Sequence, residues 1–545
     1  MTTGADLAHR ALRALDVSHV FGIVSVHNIP IYDAIRRGGG ITPIDMRHEQ
    51  AAAHAADGYA RASGKLGVAI TSTGPGACNA VPGLFEAQFA SSPVLMLTGQ
   101  VDTPYLGQGK GALHEAERQQ EMLRTVTRRA ERVRFADEIA AVIAQTGADA
   151  KSGRPQPNAV EIPIDLQYAN VDGAGTANVP PSVAISPDAA SVLKAAELIA
   201  ASRRRVLYAG GGVISADAAP ALLQLAEALQ APVFTSPNGR GAIAEDHPLA
   251  MGPLATSPEL RETLASADLV IAIGTRFQNG ATAGWTLPLG AALVHVDVDP
   301  SVPGRSYRPT LAIAADARSA CDALLAAQNA QAGEREFLAR AQRARDEARA
   351  GIRELIGPDH ARIMDAIRRH TPRSGRIVRD ATVPAYAWGN RLLPILEPRT
   401  SLSTTSAAIG PGLPLAIGAT VATGEPAVVI QGDGGFMLSI AELATVAQYR
   451  LPIVVCVFND GGYGVLRMIQ KMRFEGRTTG VDLHTPDFVR VAEGMGVRGA
   501  KVASAAAFET EFARAMADKS PLLLDIDMSA LAPMGNLFAP PPRRR

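Results

Sequence analysis

The stretch VVIQGDGGFMLSIAELATVAQYRLPIVVCVFNDGGYG (428–464) decides the fold of this chain. It has an apolar run at each end, typical of buried parallel strands, and a helical segment between the two runs. The first run leads into Asp433 and the second into Asp460, and both acids lie beside glycines. Carboxyl ends of neighbouring parallel strands share one edge of a sheet, so we expect the two carboxylates to converge there.

The same alternation of short apolar runs and amphipathic stretches continues along all 545 residues, which predicts α/β layers with mainly parallel strands. A chain of this length needs more than one core. Two predicted linkers, 172–189 and 333–354, divide it into blocks of about 1–171, 190–330 and 355–536. We therefore predict three Rossmann-like α/β domains, with residues 333–354 as an exposed connecting helix.

The bulk composition argues against several classes of partner. The formal net charge is +0 and the pI is about 7.2, so no basic excess favours nucleic acid. No uninterrupted apolar run is long enough to predict a membrane span. The three cysteines are far apart and no secretory signal is evident, which predicts reduced thiols and a cytoplasmic location.

Glycines beside Asp433 and Asp460 would let backbone amides approach a ligand closely and expose carbonyl groups. Two carboxylates and a carbonyl are hard oxygen ligands that suit Mg²⁺ together with phosphate oxygens. Either GDG or NDGG alone is more typical of an ordinary turn at the end of a strand. The pair, joined by a strand, a helix and a strand, favours a site for a metal ion and a diphosphate.

This arrangement resembles the cofactor motif of thiamine diphosphate (ThDP) enzymes, and most closely that of the acetolactate synthase, benzoylformate decarboxylase and benzaldehyde lyase group. The resemblance covers essentially the whole chain. It implies a pyrimidine-binding, a middle and a diphosphate-binding domain in the order of the three blocks. It also implies that Asp433, Asp460 and the carbonyl group of Gly462 bind Mg²⁺. Relatives commonly have asparagine in place of Asp460, so this chain adds a negative charge.

The resemblance implies further contacts with the cofactor. Ile409, in AAIGPGLP, matches the apolar residue that wedges the cofactor into its bent conformation. Thr382, in RDATVP, matches a hydroxyl that contacts the diphosphate, and Gly435 stands where many relatives have serine. The other predicted cofactor contacts are Gly432, Gly434, Asn459, Gly461 and Tyr463.

A second signature, DMRHEQAAAHAADGYAR (45–61), resembles the segment with the family's catalytic glutamate, which places that role at Glu49. A carboxyl at a strand-to-helix junction among alanines is expected to be desolvated, which would raise its pKa. The resemblance implies that Glu49 shares a proton with the cofactor's aminopyrimidine ring, which then deprotonates the thiazolium carbon. Without the GDG motif, Glu49 would be assigned only to a helix N-terminus stabilised by the helix dipole.

Two histidines are candidate proton carriers beside the cofactor: His27, in FGIVSVHNIPIYDAI, and His114, in GALHEAERQQ. Ser72 occupies the position of a catalytic histidine of benzoylformate decarboxylase, so that proton relay is missing. A lone histidine is more often a structural or surface residue. Their placement keeps both catalytic hypotheses open, with His27 ahead of His114.

The leading interpretation is a ThDP- and Mg²⁺-dependent lyase or carboligase acting on 2-oxo acids or 2-hydroxyketones. Two alternatives remain: a simple 2-oxo acid decarboxylase that releases an aldehyde, and a catalytically silent relative that binds ThDP. A biosynthetic acetolactate synthase is disfavoured because GVLRMIQKMRFEG, after the metal loop, lacks that group's Gln-Trp element. An NAD-type oxidoreductase is disfavoured because no GxGxxG motif precedes an acidic residue.

The resemblance also bears on a second cofactor and on subunit assembly. GTRFQNG (274–280) loosely resembles a turn of relatives that keep FAD in the middle domain, which leaves FAD a less favoured cofactor. Family members bind ThDP between two subunits. The resemblance therefore implies a homodimer or homotetramer in which Glu49 of one subunit faces the diphosphate site of another.

Overall fold

The computed structural model of the protein describes residues 1–172, 177–181 and 183–535. Within these residues, three six-stranded sheets pair only in parallel, and a two-stranded sheet is antiparallel. The predicted fold class of three mainly parallel α/β domains is confirmed. Parts of the predicted linker 172–189 and the predicted boundary residue 536 lie outside the described residues.

The first sheet has the strand order β3-β2-β4-β5-β7-β6. The strands of this domain are β1 (Thr2–Thr3), β2 (His19–Gly22), β3 (Thr42–Asp45), β4 (Gly67–Thr71), β5 (Val94–Gln100), β6 (Arg129–Arg132), β7 (Asn158–Pro163) and β8 (Asn170–Val171). Its helices are α1 (Gly4–Ala14), α2 (Ile29–Gly38), α3 (Glu49–Ser63), α4 (Pro75–Ala90), α5 (Gln119–Arg124), α6 (Ile139–Lys151) and α7 (Ile164–Tyr168).

The second sheet has the order β11-β10-β9-β12-β13-β14. Its strands are β9 (Arg205–Ala209), β10 (Val233–Thr235), β11 (Ala250–Gly252), β12 (Leu269–Ile273), β13 (Ala292–Asp297) and β14 (Leu311–Ala314). The helices around it are α8 (Ala189–Ala201), α9 (Gly211–Ser215), α10 (Ala219–Leu229), α11 (Pro258–Ala265) and α12 (Ala317–Ala327). Helix α13 (Arg335–His370) then leads to the third sheet.

The third sheet has the order β16-β15-β17-β18-β20-β19. Its strands are β15 (Arg376–Arg379), β16 (Ser401–Ser403), β17 (Ala427–Gly432), β18 (Ile453–Asn459), β19 (Arg498–Val502) and β20 (Leu522–Asp527). Its helices are α14 (Gly412–Thr423), α15 (Asp433–Phe436), α16 (Leu443–Tyr449), α17 (Gly464–Arg473), α18 (Phe488–Gly494) and α19 (Ala505–Asp518). Strands β17 and β18 are adjacent and almost wholly buried, as expected for parallel strands covered on both faces.

The first and third domains meet where α3 crosses α14 in backbone contact. A Cβ atom at Gly58 would lie 2.1 Å from the carbonyl oxygen of Leu415, and one at Gly418 would lie 1.8 Å from that of Ala55. Only glycine permits this approach. Since α3 begins at Glu49 and α14 directly follows the loop of Ile409, the crossing fixes how these two segments lie relative to each other.

The helix predicted at 333–354 is present, but it is longer than predicted and one of its faces is buried. Helix α13 runs from Arg335 to His370, with a kink where Gly357 has a φ of 76°. Its residues Phe337, Ala341 and Ile352 are buried in a core shared with the second and third domains. These apolar residues lie on one face of the helix, while the charged residues that suggested exposure lie mostly on the other.

Two further structural findings bear on the sequence-based predictions. The segment AYAWGNRLL (385–393), whose sequence pattern predicts a helix, forms only a short π-helical turn at residues 385–389. Among the described residues, no helix combines the length and apolar composition needed to cross a membrane.

We expect Gly418→Ala to lower the free energy of unfolding by about 3 kcal/mol, because the added methyl group overlaps a backbone carbonyl that cannot move independently of α3. Urea unfolding followed by circular dichroism measures this change. Gly351→Ala is the control, since a Cβ there, on the exposed face of α13, meets no atom within 4 Å. Equal stability of the Gly418 variant and the wild type would contradict the close crossing.

Candidate functional site

The carboxyl ends of β17 and β18 bring Asp433 and Asp460 together. Gly432 pairs with Phe458 in the parallel ladder, so the residues after the two strands share one edge of the sheet. The backbone N–H of Asp460 donates a hydrogen bond of 3.3 Å to Oδ1 of Asp433. The two acids are therefore neighbours at the edge where ligands bind in open α/β sheets.

Two carboxylate oxygens at this edge are buried and have no hydrogen-bond partner among the described residues: Oδ2 of Asp433 and Oδ1 of Asp460. Burial raises the pKa of Asp433. Burial and the charge of Asp433 raise the pKa of Asp460 to about 6. A buried carboxylate oxygen that accepts no hydrogen bond is costly, and a divalent cation would relieve that cost. With the carbonyl group of Gly462, the donor set fits Mg²⁺.

Arg467, from α17, is the cation nearest to Asp460. Its Nη1 atom lies 3.5 Å from Oδ1 of Asp460, which is ion-pair range without a hydrogen bond. The same guanidinium donates to the carbonyl oxygens of Asp460 and Gly461, each over 3.1 Å, and to Oδ1 of Asp482 over 2.8 Å. Arg467 therefore holds the turn after β18 and partly offsets the charge of Asp460.

Glycines keep the loops around the two acids in close contact. A Cβ at Gly434 would lie 2.7 Å from the ring of Tyr463 and 3.0 Å from the carbonyl oxygen of Gly462. A Cβ at Gly432 would lie 2.9 Å from Oγ1 of Thr382. The predicted hydroxyl contact, Thr382, therefore lies beside the GDGG segment. Side chains at either glycine would fill this space.

The turn after β18 is closed by the side chain of Asn459. Its Oδ1 atom accepts a hydrogen bond of 3.2 Å from the N–H of Gly461, and its Nδ2 atom donates to Oδ1 of Asp525 over 3.1 Å. Gly461 and Gly462 have φ values of 77° and 148°, which favour glycine. In this geometry Asn459 shapes the turn that presents the Gly462 carbonyl.

Ile409 lies next to the GDGG segment. Its Cβ atom is 3.7 Å from where a Cβ at Gly435 would lie. A Cβ at the following residue, Gly410, would lie 2.8 Å from the Cβ of Leu438. The Ile409 side chain is 36% exposed, so an apolar surface faces outward at the same edge as the two acids.

Asp380 is a residue of this edge that the sequence analysis did not single out. It follows β15, is only 2% exposed, and accepts hydrogen bonds from the N–H groups of Gly410 and Gly412 over 3.0 and 2.8 Å. The Nε2 atom of Gln431 also donates a hydrogen bond of 2.9 Å to Oδ2 of Asp380. Burial raises the pKa of Asp380 to about 6. Its position directly after β15, two residues before Thr382, is the sequence signal that could have identified it.

Glu49 lies at the start of α3, at the edge of the first sheet. Nδ2 of Asn79 donates a hydrogen bond of 3.0 Å to its Oε2 atom. Oε1 accepts no hydrogen bond from the part of the chain that is described, and it lies 3.1 Å from a Cβ placed at Gly76. The carboxyl is partly exposed in the single chain, so the predicted desolvation is not seen there.

His27 and His114 lie side by side near the same edge, with ring centroids 5.3 Å apart. His27 is 6% exposed and its Nδ1 atom has no partner among the described residues. Burial, and then the neighbouring His114, lower the pKa of His27. Nδ1 of His114 lies 3.3 Å from Oγ of Ser72. Ser72 also borders Gly76, the glycine beside Glu49, so these side chains share one surface.

The structure thus gathers the predicted site residues into two groups. The diphosphate-side group lies on the third sheet and comprises Thr382, Ile409, Gly432, Asp433, Gly434, Gly435, Asn459, Asp460, Gly461, Gly462 and Tyr463. The pyrimidine-side group lies on the first sheet and comprises His27, Glu49 and His114. No hydrogen bond or ion pair among the described residues joins the two groups within one chain.

A cavity of about 480 Å³ lies where the three domains meet, away from both groups. Gly274 and Arg276, from the segment compared above with an FAD-binding turn, contribute to its lining. Burial lowers the pKa of Arg276 to about 10 and raises that of Asp297, also in the lining, to about 6. The lining contains none of the predicted catalytic or metal-binding residues.

Curated proteins similar to this chain span nearly its full length. A "Probable acetolactate synthase large subunit" of Methanocaldococcus jannaschii is 33% identical, covering 96% of this chain and 91% of the relative. A "Probable 2-ketoarginine decarboxylase AruI" of Pseudomonas aeruginosa is 35% identical, with coverage of 91% and 88%. "Acetolactate synthase isozyme 2 large subunit" of Escherichia coli is 31% identical, with coverage of 98% and 97%.

Three family models match the chain in order. They are the N-terminal TPP binding domain of thiamine pyrophosphate enzymes at residues 2–123, the central domain at 192–324 and the C-terminal TPP binding domain at 384–526. Thiamine pyrophosphate is another name for ThDP. The two groups of site residues fall within or beside the N- and C-terminal matches. The chain therefore belongs to the thiamine pyrophosphate enzyme family.

Proposed function

We propose that the protein is a ThDP- and Mg²⁺-dependent enzyme that cleaves or forms a carbon–carbon bond beside a carbonyl group, with 2-oxo acids or 2-hydroxyketones as substrates. The observation that carries this proposal is the pair of buried carboxylate oxygens of Asp433 and Asp460 at adjacent strand ends, neither of which accepts a hydrogen bond from the described residues. The names of the relatives include both a synthase and a decarboxylase, in keeping with both outcomes of this chemistry.

In this proposal the diphosphate-side group holds the cofactor. Asp433, Asp460 and the Gly462 carbonyl bind Mg²⁺, and Thr382 with the amides of the GDGG segment binds the diphosphate. Glycines at these positions leave the backbone accessible to phosphate oxygens. Ile409 supports the bent conformation from its exposed apolar face. When bound, ThDP supplies an electron sink for the negative charge that forms beside the carbonyl.

Glu49 is proposed to hold the catalytic proton. Because Asn79 donates to Oε2, the Glu49 carboxyl is oriented so that Oε1 would be the oxygen that shares a proton with the aminopyrimidine nitrogen of bound ThDP. His27 and His114 then move protons to or from the substrate. Since the pKa of His27 is lowered by burial, His27 is neutral near pH 7 and can accept a proton. Ser72 orients His114 through its hydroxyl.

We further propose a homodimer, or a homotetramer made of two such dimers, with each site shared between subunits. Several apolar side chains near the two groups are exposed in the single chain, namely Val24, Val26, Leu113, Met437, Leu438, Leu466 and Phe474. Helix α17, directly after the metal loop, buries none of its residues within the chain. A second subunit would cover this surface, bring its Glu49 to the cofactor and desolvate that carboxyl.

Two finer predictions complete the proposal. The free cysteines, Cys78, Cys321 and Cys456, agree with the predicted cytoplasmic location, where thiols stay reduced. FAD stays the less favoured hypothesis for the cavity between the domains. Flavin absorption in the visible spectrum of the purified protein would establish that hypothesis.

Removal of ThDP and Mg²⁺ by dialysis against a chelator should abolish product formation, and return of both together should restore it. Pyruvate, benzoylformate and benzaldehyde, each with and without an acceptor aldehyde, are the substrates to test by chromatography. A 2-hydroxyketone product supports the carboligase, and free aldehyde alone supports the simple decarboxylase. Binding of ThDP with no turnover of any substrate class would instead favour the catalytically silent relative, and no detectable ThDP binding would refute the proposal.

Asp460→Asn should retain ThDP binding but weaken Mg²⁺ affinity about tenfold, or about 1.4 kcal/mol, because a neutral amide oxygen is a poorer ligand for a hard cation. A Mg²⁺ titration of ThDP binding by calorimetry measures this. Asp482→Asn is the matched control, since Asp482 also contacts Arg467 but its side chain is 72% exposed. Identical Mg²⁺ affinity in the wild type and the Asp460 variant would assign Asp460 to the turn alone.

Glu49→Gln should slow exchange of the thiazolium C–H proton of bound ThDP by about 100-fold or more, because the amide cannot share a proton with the pyrimidine ring. Exchange into deuterated buffer, quenched and read by NMR, gives the rate. The exposed pair of Arg118 and Glu121 lies in the same domain, so Glu121→Gln serves as control. Wild-type exchange in the Glu49 variant would remove Glu49 from the catalytic role.

A further inference from the structure

The loop that presents Ile409 is attached to buried carboxylates of two different domains. We call residues 404–411, between β16 and α14, the Ile409 loop. Asp380, in the third domain, accepts hydrogen bonds from the N–H groups of Gly410, near the C-terminal end of the loop, and of Gly412, at the start of α14. The N-terminal half of the loop is attached instead to Glu86, which lies in α4 of the first domain.

Glu86 is fully buried and bonds the loop through both carboxylate oxygens. Its Oε1 atom accepts from the N–H of Thr405 over 2.6 Å, and its Oε2 atom accepts from the N–H of Ser406 over 3.0 Å. The Ser406 hydroxyl donates a further hydrogen bond to Oε2. Three donors from two consecutive loop residues thus meet one carboxylate, which is the pattern of a specific anchor.

Arg61, from α3, fixes Glu86 in place. Its Nη2 atom donates to Oε1 of Glu86 over 2.9 Å, its Nε atom donates to Asp57 over 2.8 Å, and its Nη1 atom donates to the carbonyl oxygen of Ser403 over 2.8 Å. Burial opposes ionisation of Glu86, but Arg61 and the loop donors outweigh it and lower its pKa. Glu86 is therefore an anion at neutral pH.

The loop needs such anchors because its backbone is strained. Ala407 has a φ of 63° and Gly410 a φ of 100°. A non-glycine residue in the left-handed region persists only where surrounding contacts hold it there. Ala407 directly follows the two residues that Glu86 bonds and precedes Ile409 by two positions. The strained residue therefore lies between the contact with Glu86 and the side chain of Ile409.

We propose that Glu86 is a positioning residue, through which the first domain sets the position of Ile409 and thereby the affinity of the third domain of the same chain for ThDP. This inference rests on the proposed function of Ile409. Since α4 also begins beside Glu49, where a Cβ at Gly76 would lie 3.1 Å from Oε1 of Glu49, this one helix lies next to Glu49 at its start and bonds the Ile409 loop through Glu86.

The test compares Glu86→Gln with Glu245→Gln in the full-length protein. Glu245 is also a buried carboxylate: it pairs with Arg240 and accepts a hydrogen bond from the backbone N–H of Ile395. Unlike Glu86, it bonds no residue of the Ile409 loop. Hydrogen exchange of the Thr405 and Ser406 amides is measured without ligand. ThDP affinity with Mg²⁺ is measured by calorimetry, and stability by urea unfolding.

We expect Glu86→Gln to reduce protection of the Thr405 and Ser406 amides at least tenfold and to weaken ThDP binding about tenfold. Glu245→Gln should lower stability while leaving both readouts at the wild-type value. In an Ile409→Ala background, Glu86→Gln should cause no further loss of ThDP affinity, since both changes act on the same contact. Should Glu86→Gln fail to fold, Ser406→Ala removes one anchor bond and should weaken ThDP binding about threefold.

The proposal would be overturned if amide protection of the loop and ThDP affinity were unchanged in Glu86→Gln or, should that variant not fold, in Ser406→Ala. It would also be overturned if the effects of Glu86→Gln and Ile409→Ala on ThDP affinity were additive. A wild-type protein that binds no ThDP would refute the proposed function instead. In that case amide protection in the ligand-free protein would still decide whether Glu86 anchors the loop.

Discussion

The close crossing of α3 and α14 is the constraint that fixes where Glu49 lies relative to the Ile409 loop of the same chain. Glycines at 58 and 418 allow each helix to rest against a carbonyl group of the other. One helix begins with Glu49 and the other follows the Ile409 loop, so a small shift at the crossing would displace both segments. Backbone contacts of this kind are rigid because neither side has a rotamer that can adjust.

The buried charges of the protein reinforce that placement. Arg61, Asp57 and Glu86 connect α3, α4 and the Ile409 loop, and Asp380 connects the loop to the third sheet. Buried ion pairs contribute little net stability, because desolvation offsets the attraction between the charges. Their contribution here is geometric, since each carboxylate accepts several donors that must all be present at once. The protein thus combines a close helix crossing with polar anchors to hold one loop.

The sequence alone singles out the candidate site residues whose signal is local, and it misses those whose contacts are distant along the chain. Asp433 and Asp460 were recognisable because each follows a strand and sits beside glycines. Asp380 and Glu86 were not, because their partners lie about 30 and 320 positions away in the sequence. The sequence around a glutamate inside a helix carries no local signal of such a long-range contact. The burial of α13 was readable in principle, since Phe337, Ala341, Ala348 and Ile352 fall at helical spacing.

Arg467 gives the proposed Mg²⁺-binding loop after β18 a further property. Asp460 carries a charge that asparagine would lack, and in the ligand-free chain its nearest cation is this guanidinium, 3.5 Å away. Arg467 also donates hydrogen bonds to the carbonyl oxygens of Asp460, Gly461 and Val481. A metal ion arriving at this loop would thus meet a carboxylate that already has a counter-ion. In the proposed Mg²⁺ site, loading would be an exchange of cations on one carboxylate, and the Arg467 side chain would be released toward the surface that a second subunit would cover in the proposed dimer.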